Sequence, residues 1–71
     1  MNIGEVAKVA ELPVRNIRYY EEIGLIKPKR SANGYRIFRE SGVHKLTFLG
    51  RARSLDFSIE DCRSLLQLYE N

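Results

Sequence analysis

A proline and a glycine bracket the segment from Pro13 to Gly24, and what lies between them constrains the fold more than any other stretch of the chain. There is room for one helix of about three turns. Proline is well placed at a helix start but cannot continue a helix that began earlier. Gly24 readily takes the left-handed conformation that stops a helix. Inside the bracket, Val14, Ile17 and Tyr20 recur every third residue and share an apolar edge. Arg15, Arg18, Tyr19 and Glu22 follow the i, i+3, i+4, i+7 rule and share another. A helix that is core on one side and cationic and aromatic on the other suits a nucleic-acid backbone better than bulk water. It has the makeup of a recognition helix.

The flanking segments say what holds such a helix. Ile3, Val6, Ala7 and Ala10 predict a first amphipathic helix of barely two turns, broken by Glu11-Leu12-Pro13. Two short helices joined by a tight break form a helix-turn-helix pattern. Beyond Gly24, Pro28 excludes a helix. Lys29-Arg30-Ser31 and Tyr35-Arg36-Ile37-Phe38 are strand-like runs around Ser31-Ala32-Asn33-Gly34. Asn33-Gly34 predicts a hairpin turn in which both residues tolerate positive φ. This is a small β-hairpin with a basic tip, in the position of a wing. From Glu40 the helical period returns through Val43, Leu46, Leu49 or Gly50, and Ala52, with Phe48 and Leu55 adjoining the same side. Asp56-Phe57 breaks it. Ser58-Ile59-Glu60-Asp61 fits a capping box. A fourth helix follows, with Ile59, Cys62, Leu65, Leu66 and Tyr69 as its buried edge. The expected fold is mainly α: a winged helix-turn-helix of four short helices plus a β-hairpin wing, one domain over residues 1–71.

Composition narrows the function classes. A chain this short buries roughly 60% of its unfolded surface, so its core is marginal. Apolar content of 44% with 30% charged residues is ordinary for a globular domain and argues against disorder. Apolar runs are too short for a membrane span. Met1-Asn2-Ile3-Gly4-Glu5 lacks the basic and apolar start of an export signal, so a cytoplasmic, nucleoid-associated protein is expected. The single cysteine cannot form an internal disulfide. Net charge is only +3, but its placement is uneven. From Arg15 to Arg39 there are seven basic residues against Glu21 and Glu22, so this segment carries +5 and the rest is slightly acidic. A concentrated basic region attracts phosphate, and the binding it gives is salt-sensitive. The plain alternative is a solvated charged surface.

Other chemistry finds little support. Cys62 falls on the apolar edge of its helix with no second cysteine, and His44 stands alone eighteen residues away. A soft-metal site needs two or more convergent ligands, so Cys62 reads as a buried structural cysteine and His44 as a helix-surface residue. Glu21 and Glu22 are adjacent on a helix, point in different directions and build no pocket for acid/base work. No enzyme activity and no cofactor are expected in this chain. Leu66, Leu68 and Tyr69 are either core or an exposed apolar patch.

Taken together, Ile3-Gly4-Glu5-Val6-Ala7, Ile17-Arg18-Tyr19-Tyr20-Glu21-Glu22-Ile23-Gly24-Leu25-Ile26-Lys27-Pro28 and Arg30-Ser31-Ala32-Asn33-Gly34-Tyr35-Arg36 resemble the DNA-binding domain of MerR-family transcription regulators. Ala52-Arg53-Ser54-Leu55-Asp56-Phe57-Ser58-Ile59-Glu60 resembles the family's junction between third and fourth helices. The resemblance covers essentially the whole chain, in order and spacing. The ending Leu65-Leu66-Gln67-Leu68-Tyr69-Glu70-Asn71 is similar to the copper-responsive branch.

The resemblance implies a winged helix-turn-helix whose partner is double-stranded DNA. It implies a full-length parent that binds as a homodimer to a dyad-symmetric promoter element with a long spacer. That parent acts on RNA polymerase indirectly, by kinking and untwisting the spacer. Carried over by position, the DNA-facing residues are Arg15, Arg18 and Tyr19 on the second helix, with Arg30, Tyr35 and Arg36 on the hairpin. Arg53, near the end of the third helix, reaches a phosphate. Tyr20 is ambiguous: periodicity puts it on the core side, while its hydroxyl can still reach the backbone. Three positions depart from the family pattern. Glu11 and Pro13 stand where glycine and then serine or threonine are usual, and Arg39 stands where a serine or threonine often starts the third helix. The family's dimerisation helix and effector segment are expected to lie outside this sequence. The rival readings are an excision-factor-like architectural module that bends DNA, and a protein-interaction module.

Overall fold

The computed structural model describes residues 1–70, in the order α1 (Ile3–Ala10), α2 (Val14–Glu22), β1 (Lys29–Arg30), β2 (Arg36–Ile37), α3 (Glu40–Ser54) and α4 (Ile59–Glu70). All four expected helices and the hairpin are present. α1 begins on a capping box, whose sequence signal is Asn2 followed three residues later by Glu5. The Asn2 side chain accepts from the Glu5 backbone N–H at 2.9 Å, and the Glu5 carboxylate accepts from the Asn2 N–H at 3.0 Å. The box expected at the start of α4 is present: Ser58 Oγ accepts from the Asp61 N–H at 3.0 Å, and Asp61 accepts from the Ser58 N–H at 3.3 Å. The starts of α2 and α3, at Pro13 and Arg39, have no side-chain cap, as their residue types require.

One core serves every element. Val6 of α1, Ile17 of α2, Leu46 and Leu49 of α3 and Cys62 of α4 are its fully buried members. α1 packs against both α2 and α3, and α3 against α4. The wing joins this core at its base, through buried Leu25, Ile26 and Phe38. Phe38 is also tied to the chain start: its N–H donates to the Met1 carbonyl at 2.8 Å, and the Met1 amine donates to the Phe38 carbonyl at 3.0 Å.

The two strands are antiparallel, with Lys29 opposite Ile37 and Arg30 opposite Arg36. The turn between them differs from the one expected. Only Gly34 has positive φ, at 82°; Asn33 does not. The Gly34 N–H donates to the Ser31 carbonyl at 2.9 Å, and the Ser31 N–H to the Tyr35 carbonyl at 2.8 Å. The loop is therefore three residues, Ala32-Asn33-Gly34, with its left-handed position at the glycine. This arrangement keeps the strands' right-handed twist with one left-handed position where the two-residue turn needs two.

Two other expectations are corrected in the C-terminal half. Leu55 is 71% exposed, because α3 ends at Ser54 and the chain turns away through Asp56, which sits at φ 69°. Tyr69 is half exposed, with its ring stacked on Phe48 at 5.6 Å between centroids. Leu66 is buried and Leu68 exposed, which divides the terminal apolar residues between core and surface.

Glu11 shows why glycine suits the break after α1. It has φ 57° and ψ 44°, the left-handed region, where a side chain with a Cβ is strained by about 1–2 kcal/mol. Part of that strain is offset on replacement, because glycine also loses more backbone entropy on folding. Glu11→Gly is expected to stabilise the domain by about 0.5–1 kcal/mol, read as a raised midpoint in urea titration at unchanged slope; a lowered midpoint would contradict the strain argument.

Candidate nucleic-acid interface

α2 presents the two edges that its periodicity requires. Ile17 and Tyr20 are buried, Val14 is half-buried, and Arg15, Arg18, Tyr19 and Glu22 are exposed. The C-terminal end of α2 is held by three contacts. The Gly24 N–H donates to the Glu21 carbonyl at 3.0 Å and the Leu25 N–H to the Tyr20 carbonyl at 2.9 Å, with Gly24 at φ 81°. This is the paired closure of a left-handed helix stop. Arg63 then reaches across from α4, its Nη2 donating to the Ile23 carbonyl at 2.8 Å. A cation at the negative end of a helix is favourable. Nothing in the sequence singles out Arg63: forty residues separate it from its acceptor, and no local pattern signals the contact.

The hairpin residues lie beside α2, linked through Glu21. The Glu21 carboxylate accepts from Arg36 Nε at 2.5 Å and from Arg30 Nη2 at 2.9 Å. Arg30 Nη1 also donates to the Gly34 carbonyl at 3.2 Å, which closes the tip of the wing on itself. Glu21 thus has a defined role, whereas the sequence alone presents it as one of two isolated acids in a basic segment. The pairing moderates the expectation for the wing. Arg36 is engaged through its Nε and a quarter exposed; Arg30 stays about half exposed, and Tyr35 stands out at 72% exposure.

On the opposite flank, Asn16, Tyr19, Tyr20, Arg53 and Ile59 line a shallow cleft between α2 and the α3–α4 junction. Arg53 is exposed and anchored there, its Nη1 donating to the Phe57 carbonyl at 2.7 Å. Tyr20 is 4% exposed, so its ring is part of the core and not of the outer face. Its neighbour Tyr19 meets it at 6.0 Å with a tilt of 51° and supplies the exposed aromatic surface. A further cleft, where the wing meets the start of α3, is lined by Lys27, Lys29, Arg39 and Lys45 and by no acid. Arg15, Arg18, Tyr19, Arg30, Tyr35 and Arg53 therefore reach solvent on α2 and its two flanks, Arg36 joins wing to helix, and Tyr20 supports the face from beneath.

Among the described residues, no group of three or more His, Cys, Asp or Glu is placed to hold a metal ion. Cys62 is buried and His44 exposed. No helix among the described residues is long and apolar enough to cross a membrane.

The family model for "MerR HTH family regulatory protein" matches residues 1–69. The HTH-type transcriptional regulator HmrR of Rhizobium leguminosarum bv. viciae is 58% identical over the whole chain, which covers 55% of that protein. The HTH-type transcriptional regulator CueR of Salmonella typhi is 43% identical, with the whole chain covering 52% of it. Among solved structures, the transcription regulator PbrR691 from Ralstonia metallidurans CH34, crystallised in complex with lead(II), superposes with a TM-score of 0.88 at 37% identity. That match covers 99% of this chain and 56% of PbrR691. The chain spans about half the length of the curated relatives it matches.

Two buried groups behind the interface give the domain an alkaline limit. Burial pushes the Tyr20 hydroxyl above its ordinary value, with Arg53 beside it acting in the opposite sense. Burial likewise pushes the Cys62 thiol up, again opposed by Arg53. The folded state holds these protons more tightly than the unfolded chain. Their contribution is thus complete below the ordinary thiol and phenol values, about 8.5 and 10, and is lost as pH rises through the raised ones. Denaturant titrations should show stability flat from neutral pH to about 8.5 and declining above it, with a smaller decline in Cys62→Ala; an identical decline in that variant would remove the thiol from the explanation.

Proposed function

The chain belongs to the MerR family of helix-turn-helix regulatory proteins, and on that premise we propose that it is the DNA-binding domain of a transcription regulator. In this reading α2 enters the major groove and the wing grips the flanking backbone, reaching toward the minor groove. The observation that carries it is the shape of the cationic surface. Arg15, Arg18 and Tyr19 project from α2, with Arg30 and Tyr35 of the wing on one flank and Arg53 on the other. A helix that reads the major groove needs base-directed side chains at its centre and phosphate-directed ones beside it.

Arg15, nearest the start of α2, is assigned to a base edge, where a guanidinium reads guanine bidentately. Arg18 and Tyr19 follow along the same face, and Arg30, Tyr35 and Arg53 are assigned to phosphates. Tyr20 acts through its buried ring, which sets the height of α2 above the core. One such domain neutralises few phosphates and reaches one half-site, so its own affinity is modest. The full-length regulator is proposed to act as a homodimer on a dyad-symmetric promoter with a long spacer. It would distort that spacer so that RNA polymerase engages both boxes; the energy of distortion then supplies the regulation.

In vitro selection from random duplexes on the purified domain tests this reading. A short enriched motif, dyad-repeated across a promoter-like spacer, is the expected result. Tandem half-sites would favour a DNA-bending excision factor, and no retention of DNA at low salt would overturn the interface altogether. Arg18→Ala should lower affinity by about 1–3 kcal/mol. If it holds a phosphate the loss is uniform across single-base variants of the motif; if it reads a base the loss concentrates at one position. Unchanged binding would remove Arg18 from the interface.

A further inference from the structure

We infer that Glu21 is a positioning residue that sets the wing against the recognition helix and weakens the pull of two wing arginines on DNA, so that it exchanges non-specific affinity for specificity. This rests on the reading of α2 and the wing as a DNA interface. Three observations carry it. First, one carboxylate takes both wing arginines, Arg36 Nε on one oxygen and Arg30 Nη2 on the other. Second, the only other polar contact of Arg30 among those described is the Gly34 carbonyl at the hairpin tip. The chain of contacts therefore runs from α2 through Glu21 and Arg30 to the far end of the wing. Third, the apolar anchorage of the wing lies at its base, in Leu25, Ile26 and Phe38. The strands are only two residues each, and both residues of β1 are exposed. A two-stranded ribbon of this length does not hold its own direction, and among the described hydrogen bonds and ion pairs those of Glu21 link it to α2.

The electrostatic consequence follows from the position of Glu21. Its side chain is one-fifth exposed and lies between the two guanidinium groups that phosphates would seek. A carboxylate offers an arginine the same planar pair of acceptors as a phosphate. To bind a phosphate fully, each arginine must share or leave Glu21. Arg30, the more exposed of the two, can share its fork; Arg36 is the more enclosed. A random-sequence duplex, which offers backbone contacts and no fitted groove, gains least from a wing held in one orientation and loses most from masked charge. A cognate site gains from the fixed orientation, because its base contacts and phosphate contacts must be met together.

The test compares the wild-type domain with Glu21→Gln, Arg36→Gln and the double variant. Binding is measured on a random-sequence duplex and on the duplex recovered by selection, across about 50 to 200 mM salt. Glu21→Gln is expected to bind the random duplex more tightly at low salt. Its slope of log K against log salt should steepen by about 1–2, since each added phosphate contact contributes about 0.9. Its preference for the selected duplex should fall roughly tenfold, the scale of one misplaced base contact. In the Arg36→Gln background the same substitution should change the slope by less.

A readout without DNA accompanies these. The Ser31 amide, bonded to the Tyr35 carbonyl in the wing, should exchange its hydrogen faster in Glu21→Gln while core amides are unchanged. Glu21→Asp keeps the charge but shortens the reach, and should show the same faster exchange if Glu21→Gln proves unfolded by circular dichroism. An unchanged slope and preference in Glu21→Gln, a slope change of equal size with and without Arg36, or unchanged Ser31 exchange would each overturn the inference. Absence of wild-type binding to either duplex would instead overturn the DNA reading beneath it.

Discussion

The burial of one edge of α2 is the constraint on which the rest depends. Ile17 is fully enclosed and Tyr20 nearly so, within a core shared with α1, α3 and α4. Burying a side chain of this size contributes about 1.5–3 kcal/mol, whereas an exposed ion pair contributes about 0–1 kcal/mol. Apolar burial therefore decides where α2 sits and which way it is turned. The outward aim of Arg15, Arg18 and Tyr19 is the geometric remainder of that decision: on a helix, residues placed about a hundred degrees or more from the buried edge have nowhere to go but solvent.

Polar contacts then refine what burial has placed. The end of α2 is stopped by Gly24, closed by backbone bonds from Gly24 and Leu25, and tied to α4 by Arg63. Its flank is tied to the wing through Glu21. These are individually small contributions to stability, and their common effect is orientation. On the proposed reading, a surface that meets a rigid duplex at several points gains more from fixed angles than from added attraction. Arg53 is held in the same way, anchored on the Phe57 carbonyl.

Four positions show where residue choice and local conformation disagree. Glu11 and Asp56 occupy left-handed conformations that glycine would hold with less strain, and both lie at the breaks that follow α1 and α3. Pro13 and Arg39 start helices without a side-chain cap. The breaks are nonetheless where the family resemblance places them. Propensity at a turn is worth about 1 kcal/mol, too little to move a boundary that the packing of Val6, Ala10, Ile17 and Leu49 already requires.

Local chemistry alone makes much of this protein legible. Periodicity locates all four helices, because an apolar stripe three or four residues apart has one way to be buried. Pro13, Gly24 and Pro28 mark the breaks, because their backbones admit few alternatives. The exposed face of α2 is readable for the same reason as its buried one. The hairpin is readable in place but not in turn type, since Asn33-Gly34 admits more than one loop and the pairing of Ser31 with Tyr35 selects among them. Only the tertiary structure decides the partnerships between distant residues: Glu21 with Arg30 and Arg36, Arg63 with Ile23, Met1 with Phe38, and the enclosure of Tyr20 beside Arg53. Sequence determines local geometry because neighbouring residues share one backbone. Contacts across nine to forty positions depend on how the helices pack, and no local pattern encodes that.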